Sequence, residues 1–153
     1  VSELLQEYVS ENSKPDNIGD FIDWLCKRMD VHGFPFSGIW FDVGSPDTYL
    51  EALKTYLQHW VGNIETDPTV KIIEPVVIED GAIIRGRSII GPYAYVGKNC
   101  IIEDSDVCDS VLFDRVIVRK SKVWRSILDE NCEIRNLELS NSIIGAHAKI
   151  QRG

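Results

Sequence analysis

The chain has 153 residues, 44% of them hydrophobic and 26% charged, as in an ordinary soluble globular protein of one domain or two small ones. Its formal net charge of −8 repels an extended phosphate backbone, so no nucleic-acid partner is expected. The longest apolar runs, such as Val76-Val77-Ile78, fall far short of the roughly 18 residues of a membrane helix, so no membrane partner is expected either.

Residues 1–14 carry acids where a secretory leader needs a basic stretch and an apolar core, which predicts a cytoplasmic location. Val1 is not a start methionine and the chain opens directly in a helical pattern, as expected of a fragment. Leu4, Leu5, Tyr8 and Val9 lie at one-face helical spacing behind a possible Ser2 cap. A second helix is predicted over 17–29, capped by Asp16 or Asn17, with Phe21, Ile22, Leu25 and Met29 recurring at three- and four-residue steps. Residues 31–43 are rich in aromatic and β-branched side chains, which predicts one or two strands broken near Pro35–Gly38. Ser45-Pro46-Asp47 then supplies an N-cap, an N1 proline and a first-turn acid. The helix it opens carries an apolar stripe of Leu50, Leu53, Leu57 and Trp60, with Gly62 and Asn63 as stops.

From residue 70 the period changes. Apolar residues fall every six, at Ile72, Ile78, Ile84, Ile90, Val96 and Ile102, with a second apolar residue just before each later one. Two before each anchor stands a small or modest residue: Val76, Ala82, Ser88, Ala94 or Cys100. Neither a helix nor an isolated strand sustains a period of six over thirty residues. A parallel β-helix does, with one short strand and one corner per hexapeptide. After Ile102 the period becomes sixteen, split ten plus six, so that Ser110, Ser126 and Ser142 superimpose. Val111, Ile127 and Ile143 superimpose too, as do Leu112, Leu128 and Ile144. About five coils are expected, with the anchors from Ile72 to Ile150 buried and Arg87, Lys98 and Arg115 at the surface. The four cysteines, Cys26, Cys100, Cys108 and Cys132, form no CxxC pair, so reduced buried thiols are expected rather than disulfides or zinc.

The stretch Gly38-Ile39-Trp40-Phe41-Asp42-Val43-Gly44-Ser45-Pro46-Asp47-Thr48-Tyr49-Leu50-Glu51-Ala52 resembles a segment of the sugar nucleotidyltransferases, or nucleoside-diphosphate-sugar pyrophosphorylases. Asp16 to Ile22 resembles a late helix of their catalytic domain. The resemblance implies residues 1–61 as the end of a Rossmann-like catalytic domain, an α/β remnant, then a linker over 62–69. Residues 70–153 would follow as a left-handed parallel β-helix of hexapeptide repeats, which makes the chain mainly β. The left hand comes from the family, since strand crossovers otherwise favour the right hand.

It further implies an enzyme that joins a sugar 1-phosphate to a nucleoside triphosphate and releases pyrophosphate, with Mg²⁺ bridging phosphate oxygens. Asp42 would be a metal-binding, catalytic carboxylate, Trp40 and Gly38 would wall the sugar side, and Gly44 would permit a close turn. By its residues alone, an Asp before Gly is ordinary turn chemistry. The family's glycine-rich nucleotide loop and its second metal-binding Asp are missing from the sequence, so this chain alone is expected to be inactive and to bind Mg²⁺ weakly. Two rival readings remain: a hexapeptide acyltransferase, for which His147 is the only candidate base in the repeats, and a non-catalytic assembly module. Arg115, Arg119, Lys120, Lys122 and Arg125 form one basic cluster, read as a solvated face or an anionic effector site. Trp124 lies within it and reads as a subunit contact, so a homo-oligomer is expected.

Overall fold

The structure, a computed structural model, describes residues 2–11, 17–58 and 67–152. It divides into two compact units, Val1–Ile39 and Trp40–Gly153.

The first unit holds α1 (Ser2–Glu11) and α2 (Ile18–Cys26). Asn17 caps α2 by accepting from the Gly19 N–H at 2.8 Å; the alternative cap, Asp16, lies outside the described residues. Tyr8, Phe21 and Trp24 are buried together, with ring centroids 5.3 to 6.0 Å apart and Leu4 and Leu25 against them. Glu11 joins the two helices, accepting from Trp24 Nε1 at 2.9 Å and from Arg28 at 2.8 Å. Ile22 and Met29, expected on the buried stripe, are exposed, and Trp24 takes that place.

The strands predicted over 31–43 do not form. That segment has no regular structure and every residue in it is exposed. β-propensity in such a run expresses packing on a pleated surface, and a strand with no neighbour has nowhere to place its N–H and C=O groups.

The second unit opens with α3 (Pro46–Leu57) and continues as a parallel β-solenoid. Among the described residues its fifteen strands are β1 (Lys71–Ile72), β2 (Val76–Ile78), β3 (Ile83–Arg85), β4 (Ile89–Ile90), β5 (Ala94–Val96), β6 (Ile101–Glu103), β7 (Asp106–Cys108), β8 (Ser110–Leu112), β9 (Ile117–Arg119), β10 (Lys122–Trp124), β11 (Ile127–Leu128), β12 (Glu133–Arg135), β13 (Glu138–Ser140), β14 (Ile143–Ile144) and β15 (Lys149–Gln151). They stack into three five-stranded sheets: sheet A (β1-β4-β7-β10-β13), sheet B (β2-β5-β8-β11-β14) and sheet C (β3-β6-β9-β12-β15). Each coil contributes one strand to each sheet, as the period of six requires.

The register explains the change of period. Val76 pairs with Ala94 and Ala94 with Ser110, so the coil shortens from eighteen residues to sixteen. The shortening falls at the two corners that flank sheet A. There the inward residues are Val107, Val123 and Leu139, a column hidden inside the ten-residue half of the repeat. Each short corner is turned by a single left-handed residue: Asp104, Asp109, Lys120, Arg125, Asn136 or Asn141, with φ between 47° and 55°. Four of the six are Asp or Asn, the side chains that tolerate this conformation best.

The anchors Ile84, Ile90, Val96, Ile102, Leu112, Val118, Leu128 and Ile134 are buried, while Ile72, Ile78, Ile144 and Ile150 in the outer coils are half-buried. Arg87, Lys98 and Arg115 are exposed, as expected. The small residues two before each anchor do line the inside, with Ser88, Ala94 and Cys100 all buried. All four cysteines are free; Cys100 and Cys132 are buried, Cys108 is half-buried, and Cys26 is exposed, against the expectation of burial. Among the described residues no helix is long and apolar enough to cross a membrane.

Candidate functional site

The segment that carries the motif is an extended stretch feeding a firmly capped helix. Ser45 adopts an extended backbone and its hydroxyl accepts from the Thr48 N–H at 3.2 Å, while Thr48 Oγ1 accepts from the Ser45 N–H at 3.1 Å. This reciprocal box satisfies two donors the first turn would otherwise leave open. Pro46 at the first helical position and Asp47 near the positive end of the helix dipole add to it.

α3 is in turn fixed to the solenoid. The outward column of sheet B runs Val77, Tyr95, Val111, Ile127, Ile143 in register, and is apolar throughout. Val77 and Val111 point away from the solenoid core yet are only 2% and 1% exposed, and Leu50 and Leu57 of α3 are equally buried. Two ion pairs bracket this packing. Lys54 Nζ lies 2.9 Å from Asp109 Oδ2, and Arg125 lies 3.0 Å from Asp47 Oδ1. The Asp47 carboxylate raises the Arg125 pKa above its ordinary value, by its hydrogen bond first and its charge second. The helix's first turn is thus tied to the fourth coil and its last turn to the third. Trp60, Gly62 and Asn63, predicted as stripe and stops, lie outside the described residues, as does His59.

Gly38, Trp40, Asp42 and Gly44 are all exposed, Trp40 at 70%. Gly38 belongs to the first compact unit, and Trp40, Asp42 and Gly44 to the second. Gly38 has φ +143°, a conformation that disfavours any side chain. Asp42 makes no hydrogen bond or ion pair among the described residues, and it has no turn-capping partner there. Its carboxylate is a donor of the type Mg²⁺ takes, and an open one. Mg²⁺ commonly binds through one or two carboxylates together with substrate phosphates and water, so Asp42 fits one ligand position. No group of three or more His, Cys, Asp or Glu able to hold a metal is gathered among the described residues.

His147 is exposed at a left-handed corner, with φ 63°. The basic cluster legible in the sequence is dispersed by the coil. Arg115 turns to Glu130, Arg119 to Glu103, Lys122 to Glu138 and Arg125 to Asp47. Trp124 stands on the outer face of sheet A, half exposed. Sequence reasoning missed the Arg125–Asp47 and Lys54–Asp109 ties, which join residues 78 and 55 apart. In the sequence Asp47 read only as a first-turn acid and Arg125 only as one of a basic cluster.

Comparison with known proteins places the two halves separately. Residues 1–59 match the family described as nucleotidyl transferase, and residues 86–153 match the GlmU-like, C-terminal hexapeptide family. A bifunctional protein GlmU of Methanocaldococcus jannaschii is 32% identical over 158 aligned residues, covering 86% of this chain and 38% of the relative. A glucose-1-phosphate thymidylyltransferase of Streptomyces griseus is 23% identical, covering 88% of this chain and 44% of the relative. A probable mannose-1-phosphate guanylyltransferase 3 of Oryza sativa is 27% identical, over 74% of this chain and 28% of the relative. The chain thus spans less than half the length of each.

Proposed function

We propose that this chain is the C-terminal part of a sugar-1-phosphate nucleotidyltransferase, a reading supported by the match of residues 1–59 to the nucleotidyl transferase family and of residues 86–153 to the GlmU-like hexapeptide family. The reaction joins a sugar 1-phosphate to a nucleoside triphosphate and releases pyrophosphate. Residues 1–61 end the catalytic domain, 62–69 link it to the repeats, and 70–153 form the hexapeptide solenoid. The parent works in the cytoplasm as a homo-oligomer, its solenoid serving assembly or regulation.

The observation that carries the reading is the setting of Asp42: an open carboxylate three residues ahead of Ser45, the cap of a helix that is clamped to the solenoid. The solenoid and the Ser45 box limit where Asp42 can travel, and such positioning is most of what phosphoryl transfer needs from a protein. When bound, Mg²⁺ would offset the charge that crowds the phosphate oxygens. Trp40 offers an exposed ring as a wall for the sugar, and the bare backbone of Gly38 and Gly44 leaves room for a close approach. A catalytic His147 has less support, because its imidazole has no carboxylate partner among the described residues.

In the longer enzyme, Asp42→Asn should lower the rate of pyrophosphate release by orders of magnitude and leave the thermal unfolding midpoint unchanged. Near-normal turnover, with stability lower by about 1 kcal/mol, would instead make Asp42 a turn cap. The 153-residue chain alone should show no tight Mg²⁺ binding in calorimetry, since one carboxylate is a poor site.

A further inference from the structure

The second column of outward residues on sheet C reads Arg85, Glu103, Arg119, Arg135, Gln151 in register. In its first three members the charges alternate: Glu103 lies 3.1 Å from Arg85 and 3.2 Å from Arg119. The alternation then fails. Arg119 and Arg135 are direct neighbours on adjacent strands, about 4.8 Å apart, with no acid between them. Like charges so placed repel. Arg135 turns aside to Glu133 of its own strand, which leaves the space between the two guanidinium groups without an anion.

Three further features converge there. Arg119 Nε is buried and makes no hydrogen bond among the described residues; it is near Glu103 but not aligned with it. Lys120, exposed at the next corner with φ 47°, has no ion pair among the described residues. Asn136 and Gln151 add neutral donors at the edge, and together these groups line a groove of about 480 Å³ that also takes in Arg85 and Glu103. Four cations, Arg85, Arg119, Lys120 and Arg135, line the groove with Glu103, and Glu133 pairs with Arg135 beside it, in a chain whose net charge is −8.

We propose that this groove on the outer face of sheet C binds a small phosphorylated anion between Arg119, Lys120 and Arg135. Paired guanidinium forks suit phosphate oxygens, which accept two parallel N–H bonds from each, and Lys120 adds a point charge beside them. The anion would offset the charge of the neighbouring Arg119 and Arg135, each of which otherwise has a single acid beside it. The site does not depend on the catalytic reading. Its shared chemistry is the phosphoryl group, supplied either by free pyrophosphate or by a phosphate monoester.

The test is calorimetric titration of the 153-residue chain with inorganic pyrophosphate and, separately, with glucose 1-phosphate, at constant ionic strength set with sodium chloride. Saturable binding is expected, lost in the Arg119→Gln/Arg135→Gln double variant. It should weaken severalfold in Lys120→Asn, which places at φ 47° a residue type that Asn136 already shows to be tolerated one coil on. If the double variant fails to fold, Lys120→Asn decides. Tighter pyrophosphate than monoester assigns the groove to two phosphoryl groups, and equal affinity assigns it to one. Absence of saturable heat with both ligands in the millimolar range overturns the proposal. So does equal weakening in Lys122→Gln, whose charge lies on sheet A and pairs with Glu138.

Discussion

At the scale of single residues the solenoid interior sets the chemistry of its thiols. Cys100 stands in an inward column with Ala82, Val116, Cys132 and Ala148, at the corner where each sheet C strand begins. Burial pushes its thiol up to about 11 from 9.0, and raises Cys132 as well. A folded-state pKa above the unfolded one means that the unfolded chain releases its proton first as pH rises. The stabilisation is therefore whole below pH 9 and is lost between there and about pH 11. Tyr95, raised to about 12 by burial and then by Glu79, adds a later loss between pH 10 and 12. Urea unfolding as a function of pH should show stability falling through this range. In Cys100→Ala the early part of the fall should become shallower, with the share of Cys108 and Cys132 and the Tyr95 part remaining. At neutral pH, thiol labelling of the native chain should modify the exposed Cys26 rapidly and leave the buried Cys100 and Cys132 intact until the solenoid unfolds.

At the scale of elements, the short corners are held by two ladders of stacked serines. Ser110 Oγ accepts from the Ser126 N–H at 3.1 Å, and Ser126 Oγ accepts from the Ser142 N–H at 3.2 Å. Each hydroxyl donates to the carbonyl two residues back, as Ser126 does to Trp124 at 2.8 Å. Ser88, Ser105 and Ser121 repeat the device at the corner before sheet A. Ser126→Ala would leave the half-buried Ser142 N–H without its acceptor, while the Trp124 carbonyl keeps the Asn141 N–H, and chemical denaturation should report a loss of about 1 kcal/mol. Ser142→Ala should cost less, because Ser142 is only half-buried and its exposed carbonyl partner can turn to water. The serine column at 110, 126 and 142 was legible in the sequence because three coils share one length. The column at 88, 105 and 121 was not, since the coil changes from eighteen residues to sixteen across it and breaks the spacing. The inward Val107, Val123 and Leu139 were hidden for the same reason: a five-residue corner has no place in a count of six. The predicted strands at 31–43 misled in the opposite way, as their composition is strand-like but among the described residues no neighbouring strand pairs with them. For the candidate site, the residues at 38–52 were readable as a motif, and the ion pairs that fix α3 were not, because they depend on which coil faces the helix.

At the scale of the whole molecule, a solenoid must dispose of three outer faces, and the three here are unequal. Sheet B hides its apolar column beneath α3 over Val77 and Val111, and sheet C carries its charged column beside Ile83, Ile101 and Ile117. Sheet A presents Trp124 at 50% exposure between the smaller Cys108 and Ser140 on the neighbouring strands. A large ring standing above two small neighbours is a knob, and burying it against a second copy would remove much of its apolar area from water at about 25 cal/mol per Å². Closed symmetry is the usual outcome for such contacts, so the chain is expected to form a dimer or trimer through its β-helix faces. Trp124→Arg should shift that assembly toward monomer without unfolding the coil, because the side chain points away from the core and Val123 beside it fills the interior. Light scattering coupled to size exclusion measures the mass, and circular dichroism of the same fractions reports the fold. A strict monomer at high concentration for the unaltered chain would remove the assembly role. An unaltered oligomer in Trp124→Arg would move the interface off sheet A, toward the isoleucine column of sheet C.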